Sequence, residues 1–178
     1  MKSLIFNILS IVNSKSDLLL NNVNLSFDSV EIGSGGLLEF DGDSSVTINS
    51  AVVESNAELK LSNGRMVVPS LELNGDLEAV TGDVVLSNVT GHLNHMGGGR
   101  ISILNSPNKL NITSSYTQGP NATLRIFFTD KTSGSFDYLK VGGAAKLDGI
   151  LEIVSTGNFR PEIDDEIHVV QSSGVSGE

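Results

Sequence analysis

Short runs of alternating apolar and polar residues recur along the chain between residues 23 and 154, separated by Gly, Asn, Asp and Ser. Successive side chains of a strand point to opposite faces, so each run predicts a short β-strand with one buried face. Six runs can be superimposed, each with two mainly aliphatic residues around one polar residue. The flanking pairs are Leu38/Phe40, Leu59/Leu61, Leu77/Ala79, Ile101/Ile103, Leu124/Ile126 and Leu151/Ile153, and the central residues are Glu39, Lys60, Glu78, Ser102, Arg125 and Glu152.

The six runs recur at a nearly regular interval. Their central residues are 21, 18, 24, 23 and 27 positions apart, and a second series (VTI at 46, MVV at 66, VVL at 84, LNI at 110) has a similar spacing. A repeat of about 20–25 residues that carries two or three short strands is typical of a β-solenoid. The sequence therefore predicts an all-β fold, a right-handed parallel β-helix of about six rungs, roughly 30 Å long at about 4.8 Å per rung.

Stacking of the rungs assigns a role to each position of the repeat. The aliphatic pairs are expected to form continuous ladders inside the solenoid, because one rung cannot bury its inward side chains alone. The six central residues, from Glu39 to Glu152, are expected to run up the outside of one sheet. Their charges mostly alternate in sign, which favours neighbouring strands in register. We interpret this series as a register-setting surface feature rather than a binding stripe.

The longest alternation covers residues 139–153, where every odd position is apolar or small. Fifteen residues in one straight strand would extend about 50 Å, longer than the face of any rung. Gly142, Gly143 and Gly149 interrupt the run, and glycine in a strand pattern often marks a bend. We therefore expect two or three strands on successive faces of one coil, close to the C-terminal end of the solenoid.

The C-terminal region, residues 136–177, carries a set of motifs with a recognisable order. They are Phe136, Asp137, Leu139, Val141, Gly143, Ala145, Leu147, Gly149, Leu151 and Ile153, then Gly157, Phe159 and Pro161, then Asp165, Ile167, Val169 and Val170, and finally GVSG at 174. This set resembles the C-terminal end of the β-helical passenger regions of autotransporter-like and related surface proteins, most closely over about 40 residues, and Asp164 departs from the usual Gly. The resemblance implies a β-helical extracellular module, without a membrane barrel or secretion machinery.

The N-terminal segment has the layout of a short secretory signal. Lys2 precedes an apolar run from residue 4 to residue 12, and small residues follow at Ser14 and Ser16. This run is too short to cross a bilayer, which takes about 20 apolar residues. Residues 1–16 are accordingly interpreted as a signal peptide or as an N-terminal cap of the fold. Residues 17–178 are expected to form a single β-helix domain, with 136–178 as its end.

Composition narrows the range of partners. The formal net charge of the 178-residue chain is -10, which argues against nucleic acid and anionic membranes, because both require a basic surface. The chain has no cysteine, so neither disulfides nor thiolate chemistry are available. Four Asn-x-Ser/Thr sequons fit an extracellular setting only if the source glycosylates proteins. They begin at Asn24, Asn88, Asn111 and Asn121.

Two groups of residues are candidates for a metal-binding or catalytic site. His92 and His95 resemble a metal-ligand pair, but their odd spacing places them on opposite faces of a strand, and we interpret them as surface or turn residues. His168, between Ile167 and Val169, is expected to point outward on an alternating strand. Asp41 and Asp43 share a face, with Glu54, Arg65 and Glu72 nearby in sequence. Carboxylates of this kind serve carbohydrate-cleaving β-helices. Asp41 and Asp43, however, lie at a predicted corner, where Asp commonly stabilises turns.

The functional prediction follows from the architecture and from this absence of a clear catalytic motif. We expect a secreted or cell-surface structural or adhesive β-helix module, without enzymatic activity, catalytic residues, cofactor or metal. Its partners are expected to be surface glycans or other surface proteins. The alternative is a carbohydrate-binding or carbohydrate-cleaving β-helix. The scattered aromatic residues cluster only at Phe127, Phe128, Phe136, Tyr138 and Phe159, which are interpreted as packing, with a sugar-stacking platform as the lesser option.

Overall fold

The structure is a computed structural model that describes residues 4–11, 16–130, 132, 134–156, 159–160 and 162–177. All regular elements in this part of the chain are β-strands, and every pairing between named strands is parallel. The strands are β1 (Leu4–Ile11), β2 (Asp17–Asn21), β3 (Asn24–Ile32), β4 (Leu37–Asp41), β5 (Ser45–Val53), β6 (Glu58–Leu61), β7 (Arg65–Leu73), β8 (Asp76–Ala79), β9 (Asp83–Gly91), β10 (Leu93–His95), β11 (Arg100–Ile103), β12 (Lys109–Ile112), β13 (Tyr116–Gln118), β14 (Thr123–Phe128), β15 (Tyr138–Val141), β16 (Ala144–Leu147), β17 (Ile150–Ser155), β18 (Val170–Gln171) and β19 (Gly174–Gly177).

The predicted parallel β-helix is confirmed. Alternate strands of the chain stack on one another, and the longest path, β1-β3-β5-β7-β9-β11-β14-β17, passes eight strands, compared with the six runs aligned from sequence. At about 4.8 Å per step, eight strands form a stack about 34 Å tall. The same sheet also contains β12, β15 and β18, which stack in that order on β9, and the other strands form two four-stranded sheets, β2-β4-β6-β8 and β10-β13-β16-β19.

Each complete coil contributes three inward pairs to the core. In β3 the buried residues are Leu25 and Phe27, then Val30 and Ile32, so the alternation slips by one residue in the middle of the strand. The ladder is interrupted at the same point, between the pairs Phe27↔Ile48 and Ser29↔Ser50. The long strands β3, β5, β7 and β9 therefore bend and supply two faces of the coil. The shorter strands β4, β6 and β8 supply the third face.

This arrangement corrects the superposition of the six runs. Glu39, Lys60 and Glu78 pair across β4, β6 and β8, whereas Ser102, Arg125 and Glu152 lie on β11, β14 and β17 of the large sheet. The prediction of a single outer column is therefore wrong. The six central residues form two columns on different faces of the solenoid. Alternation of charge holds within each column, since Lys60 lies 3.2 Å from Glu78 and Arg125 lies 2.9 Å from Glu152.

The long alternation near the C-terminus is confirmed as three strands. It is divided among β15, β16 and β17, with corners at residues 142–143 and 148–149. Gly149 adopts φ +69°, and a Cβ there would lie 2.5 Å from the carbonyl oxygens of Ala122 and Gly119. The corner therefore requires glycine.

The N-terminal segment enters the same sheet. Residues 4–11 form β1, which pairs with β3 from Leu4↔Leu25 to Ile11↔Ile32. Residues 1–3 and 12–15 lie outside the described part of the chain. The interpretation of residues 1–16 as a signal peptide stays a prediction.

A bend between two faces changes character along the stack. In β3, β5, β7 and β9 it lies within a continuous strand, whereas in later coils two strands meet there, joined by residues 104–108, 129–137 and 156–169. Phe136 is stacked on Phe128, with ring centroids 5.1 Å apart, and Phe159 lies 6.1 Å from Phe128. Packing therefore explains these three aromatic residues, as expected.

Candidate functional site

The carboxylates singled out from the sequence do not form one site. Asp41 and Asp43 lie at the corner before β5, whereas Glu54 lies after β5 and Glu72 lies near the end of β7. The Asp41 carboxylate accepts a hydrogen bond from the Gly42 backbone N–H at 2.7 Å, which is the turn-stabilising role expected of Asp at a corner. Arg65 faces Asp83 at 3.8 Å.

The histidines lie on opposite sides of the wall, as predicted. His92 is exposed and its Nδ1 lies 2.7 Å from the Ser115 hydroxyl. His95 is 2 % exposed and lies inside the solenoid, so its interpretation as a surface or turn residue is wrong. The inward pair of β10 is Leu93 and His95, because β10 follows the strand alternation of its neighbour β13. His168 is exposed, as expected, although it lies outside any strand.

A polar chain of side chains surrounds His95 in the core. Its Nε2 donates to the Gly99 carbonyl at 3.1 Å, and its Nδ1 lies 3.4 Å from the Tyr116 hydroxyl. Tyr116 donates to the Gln118 side-chain oxygen at 3.2 Å, and the Gln118 amide donates to the Ala122 and Ile150 carbonyls at 3.2 and 3.0 Å. Burial lowers the pKa of His95 to about 4 and raises the pKa of Tyr116. The hydrogen-bonded side chains of His95, Tyr116 and Gln118 therefore stabilise the core and do not form a solvent-accessible site.

A solvent-open cleft lies at the corner that connects the long strands to the strands of the third face. We call it the corner cleft, and its volume is about 580 Å³. Three corners and parts of a fourth contribute to it, so it extends along the stack. The lining residues are Ser55, Asn56, Leu73, Asn74, Gly75, Asp76, Gly91, His92, Asn94 and Ser114.

The corner cleft arises because successive corners differ in length. The linker between β5 and β6 has four residues, 54–57, whereas the next two corners have only residues 74–75 and residue 92. The following corner is longer again, with residues 113–115. The two short corners are therefore recessed between two projecting ones. Gly91 permits this tight approach, because it has φ +124° and a Cβ there would lie 2.0 Å from the Leu73 carbonyl oxygen.

The chemistry of the corner cleft is that of neutral hydrogen bonding. Within the described part of the chain, no hydrogen-bond partner is found for the side chains of Ser55, Asn56, Asn94 and Ser114. An asparagine side chain offers two N–H donors and one carbonyl acceptor. Asp76 supplies the only carboxylate of the lining. Such a lining can hold a ligand that carries many hydroxyl groups.

A group of carboxylates borders the corner cleft on the third face. Glu58 on β6 lies directly opposite Asp76 on β8, and Glu78 forms an ion pair with Lys60 at 3.2 Å. Partial burial raises the pKa of Glu58, and the neighbouring Glu78 and Asp76 carboxyls add to this effect. The hydrogen bond to Glu78 raises the pKa of Lys60. Like charges placed opposite each other destabilise a sheet.

Replacing Glu58 with glutamine is expected to stabilise the fold by about 0.5 kcal/mol at pH 7. The pKa of Glu58 is raised in the folded state, so ionisation weakens the fold as the pH rises through that pKa. The gain should therefore disappear below the ordinary value of 4.5. Urea unfolding at pH 7 and pH 4 measures it. Glu31→Gln is the control, because exposed Glu31 pairs with Val52, and a gain of equal size there would contradict the explanation.

Comparison with protein-family models, with curated proteins and with solved structures finds no match for this chain. Among the described residues no group of three or more His, Asp or Glu side chains could hold a metal ion. The same residues include no helix long and apolar enough to span a membrane.

Sequence reasoning missed the corner cleft. Its residues come from short linkers, ESNA at 54–57, NG at 74–75 and GHLN at 91–94, whose polar composition is that of ordinary turns. The available signal was the shortening of the interval from 21 to 18 residues between the runs around Lys60 and Glu78. A shorter coil with the same strands must have a tighter corner.

Proposed function

We propose that this chain is a non-catalytic adhesive module of a secreted or cell-surface protein, and that it binds a glycan in the corner cleft. The observation that carries this proposal is the solvent-open lining of Asn, Ser and His side chains. Side chains fixed on a stacked coil are preorganised, which lowers the entropic cost of binding.

The ligand class follows from the groups that the corner cleft presents. Asn56, Asn74 and Asn94 offer both donors and acceptors, which match the hydroxyl groups of a sugar. The cleft extends along the stack, and successive coils lie about 4.8 Å apart. A linear oligosaccharide can therefore meet polar side chains on more than one coil.

Binding rather than cleavage is supported by the carboxylates. Glycoside hydrolysis usually requires two carboxyl groups on either side of the bond that is broken. Asp76 is the one carboxylate among the lining residues of the corner cleft. Glu58 and Glu78 lie on the adjacent face, where each faces another charged side chain.

The adhesive and extracellular parts of the proposal rest on the sequence. The segment from Lys2 to Ser16 has the order of a secretory signal, and residues 136–177 resemble the ends of surface β-helices. A rod about 34 Å tall can present the corner cleft away from its point of attachment.

Replacing both Asn56 and Asn94 with alanine is expected to weaken glycan binding at least tenfold, because each asparagine supplies hydrogen bonds of about 0.5–1.5 kcal/mol. A glycan array with the full chain identifies the oligosaccharide, and calorimetry with that oligosaccharide measures the affinity. Asn49→Ala is the matched control, since Asn49 bonds to Asp28 at the bend, outside the lining of the cleft.

Two results would contradict the proposal. A glycan array without binding would contradict the proposal that the chain binds a glycan. An equal loss of affinity in the Asn49→Ala control would contradict the corner cleft as the binding site. Release of shorter products from the bound oligosaccharide would instead favour a carbohydrate-cleaving protein.

A further inference from the structure

Acidic residues are distributed very unevenly along this chain. Twelve Asp and Glu residues lie between Asp17 and Asp83, whereas the 46 residues from 84 to 129 contain none. The same 46 residues contain the basic residues Arg100, Lys109 and Arg125. In a chain with a net charge of -10, the middle coils therefore form a belt without carboxylates.

Carboxylates are also absent from the next strands of the stack at the corner that contains the corner cleft. Residues 138–147, which form β15, the corner and β16, include two lysines and no carboxylate. Lys140 and Lys146 are exposed, on either side of the glycine corner at 142–143. Neither takes part in the ion pairs found among the described residues, which involve Lys60, Arg65, Arg100 and Arg125.

The strand register places these lysines on either side of the corner, in later strands of the stack than those that line the corner cleft. On one side of the corner, Asn94 pairs with Thr117, and Thr117 pairs with Lys146. On the other side, Asn88 pairs with Asn111, and Asn111 pairs with Lys140. Each lysine is therefore two strands, or about 10 Å, beyond the level of Asn88 and Asn94, and one strand beyond the coil that contributes Ser114 to the cleft.

The corner between the lysines has no side chains at residues 142–143, and it adjoins the residues that line the corner cleft. The Gly143 backbone N–H donates to the Ser114 carbonyl at 2.6 Å, and Ser114 lines the cleft. Gly142 and Gly143 carry no side chain, so the ammonium groups of Lys140 and Lys146 can approach a chain that follows the corner. A ligand that leaves the cleft along the stack meets them next.

We propose that the ligand is an anionic polysaccharide, whose neutral hydroxyl groups bind in the corner cleft and whose carboxylate or sulfate groups lie between Lys140 and Lys146. This inference rests on the proposed glycan-binding function and adds the charge of the ligand. A neutral glycan would leave the two exposed cations beside the glycine corner at 142–143 without a partner in the ligand. Attraction by exposed ammonium groups falls with added salt.

The test compares ligands that differ only in charge. The probes are a galacturonate hexamer and its methyl ester, and dextran sulfate and dextran, measured by calorimetry with the full chain at low salt. The wild-type chain is expected to bind at least one anionic probe about tenfold more tightly than its neutral partner. Lys140→Gln/Lys146→Gln is expected to abolish this difference and to leave the affinity for the neutral probe unchanged.

Lys109→Gln is the matched control, because Lys109 is exposed on the same sheet but at the start of β12, away from the corner. It should keep the preference for the anionic probe. The difference between the uronate and sulfate arms identifies which anionic group is bound.

Several outcomes would overturn the inference. Equal affinity for charged and neutral probes, or a preference that survives in the double variant, would show that the lysines do not select the ligand. Tighter binding to phosphatidylglycerol vesicles or single-stranded DNA than to either anionic probe would show general charge attraction. If the neutral probe still binds in these cases and loses affinity in Asn56→Ala/Asn94→Ala, the proposed function stands and only the charge assignment fails.

Discussion

Replacing Asp137 with alanine is expected to destabilise the C-terminal coils by about 3–5 kcal/mol. Asp137 is fully buried, and its carboxylate accepts hydrogen bonds from the Ser106 hydroxyl at 2.7 Å, the Asn108 backbone N–H at 2.8 Å and the Phe127 backbone N–H at 2.9 Å. Alanine would leave the Asn108 and Phe127 N–H groups without their acceptor, and the Ser106 hydroxyl would keep only the Ile103 carbonyl. Hydrogen bonds to a charged group are worth more than neutral ones, and unpaired buried donors are costly.

The loss should be local, because each coil of a solenoid contacts only its neighbours. Hydrogen exchange is therefore expected to accelerate in β12, β14 and β15 and to stay unchanged in β3, β5 and β7. Asp43→Ala is the control, since exposed Asp43 makes no side-chain hydrogen bond among the described residues. Uniform acceleration along the chain, or no acceleration, would show that Asp137 does not tie these coils together.

Lowering the pH from 7 to 4 is expected to cost the fold about 3 kcal/mol through His95. Burial lowers the pKa of His95 from 6.5 to about 4, so between these values the unfolded chain binds the proton more tightly than the folded chain. The contribution of His95 is thus fully present above pH 6.5 and is lost progressively as the pH falls towards 4. Protonation would also place a charge beside Leu93 and Tyr116 in the core.

His95→Gln should remove this part of the pH dependence, because glutamine offers polar groups but does not titrate in this range. The measurement is the difference between wild-type and variant unfolding free energies at pH 7, 5.5 and 4, which cancels the shared titration of the carboxylates. His168→Gln is the control, because His168 is exposed. A wild-type minus His95→Gln difference that does not change with pH would exclude His95 as the titrating group.

The fold could be predicted because its local and long-range requirements coincide. Most inward positions are apolar, so the pairs Leu38/Phe40 and Leu59/Leu61 repeat in sequence and also stack in space. Corners require residues that tolerate unusual backbone angles, and Asn56 at φ 61° and Gly42 at φ 62° occupy such positions. Both patterns can be read without knowing which strands pair.

The assignment of runs to faces failed for a physical reason. All three faces use the same apolar-polar-apolar pattern, so the pattern alone does not identify the face. The interval between Glu78 and Ser102 is close to one coil in length, although Glu78 lies on the third face and Ser102 on the large sheet. Coil length itself varies, from 17 residues between Asp83 and Arg100 to 31 between Leu139 and Val170, which hides such a shift.

The site was harder to predict than the fold. The corner cleft depends on the relative lengths of neighbouring corners, which become meaningful only once the coils are in register. His95 was missed because its neighbours in sequence, Asn94 and Met96, are exposed, while its partners Tyr116 and Gln118 belong to the next coil. Asp137 was noticed only as part of a motif, since its three partners come from two distant segments.

The bend between the first two faces is also a natural position for grafting foreign sequence. Successive coils carry connections of 5, 9 and 14 residues there, at 104–108, 129–137 and 156–169. The strands on both sides remain paired, as β11 with β14, β14 with β17, β12 with β15 and β15 with β18. The entropic cost of closing a loop grows only slowly with its length. A peptide epitope inserted at this bend in an earlier coil would therefore be displayed on the side of the rod without changing the register of the coils around it.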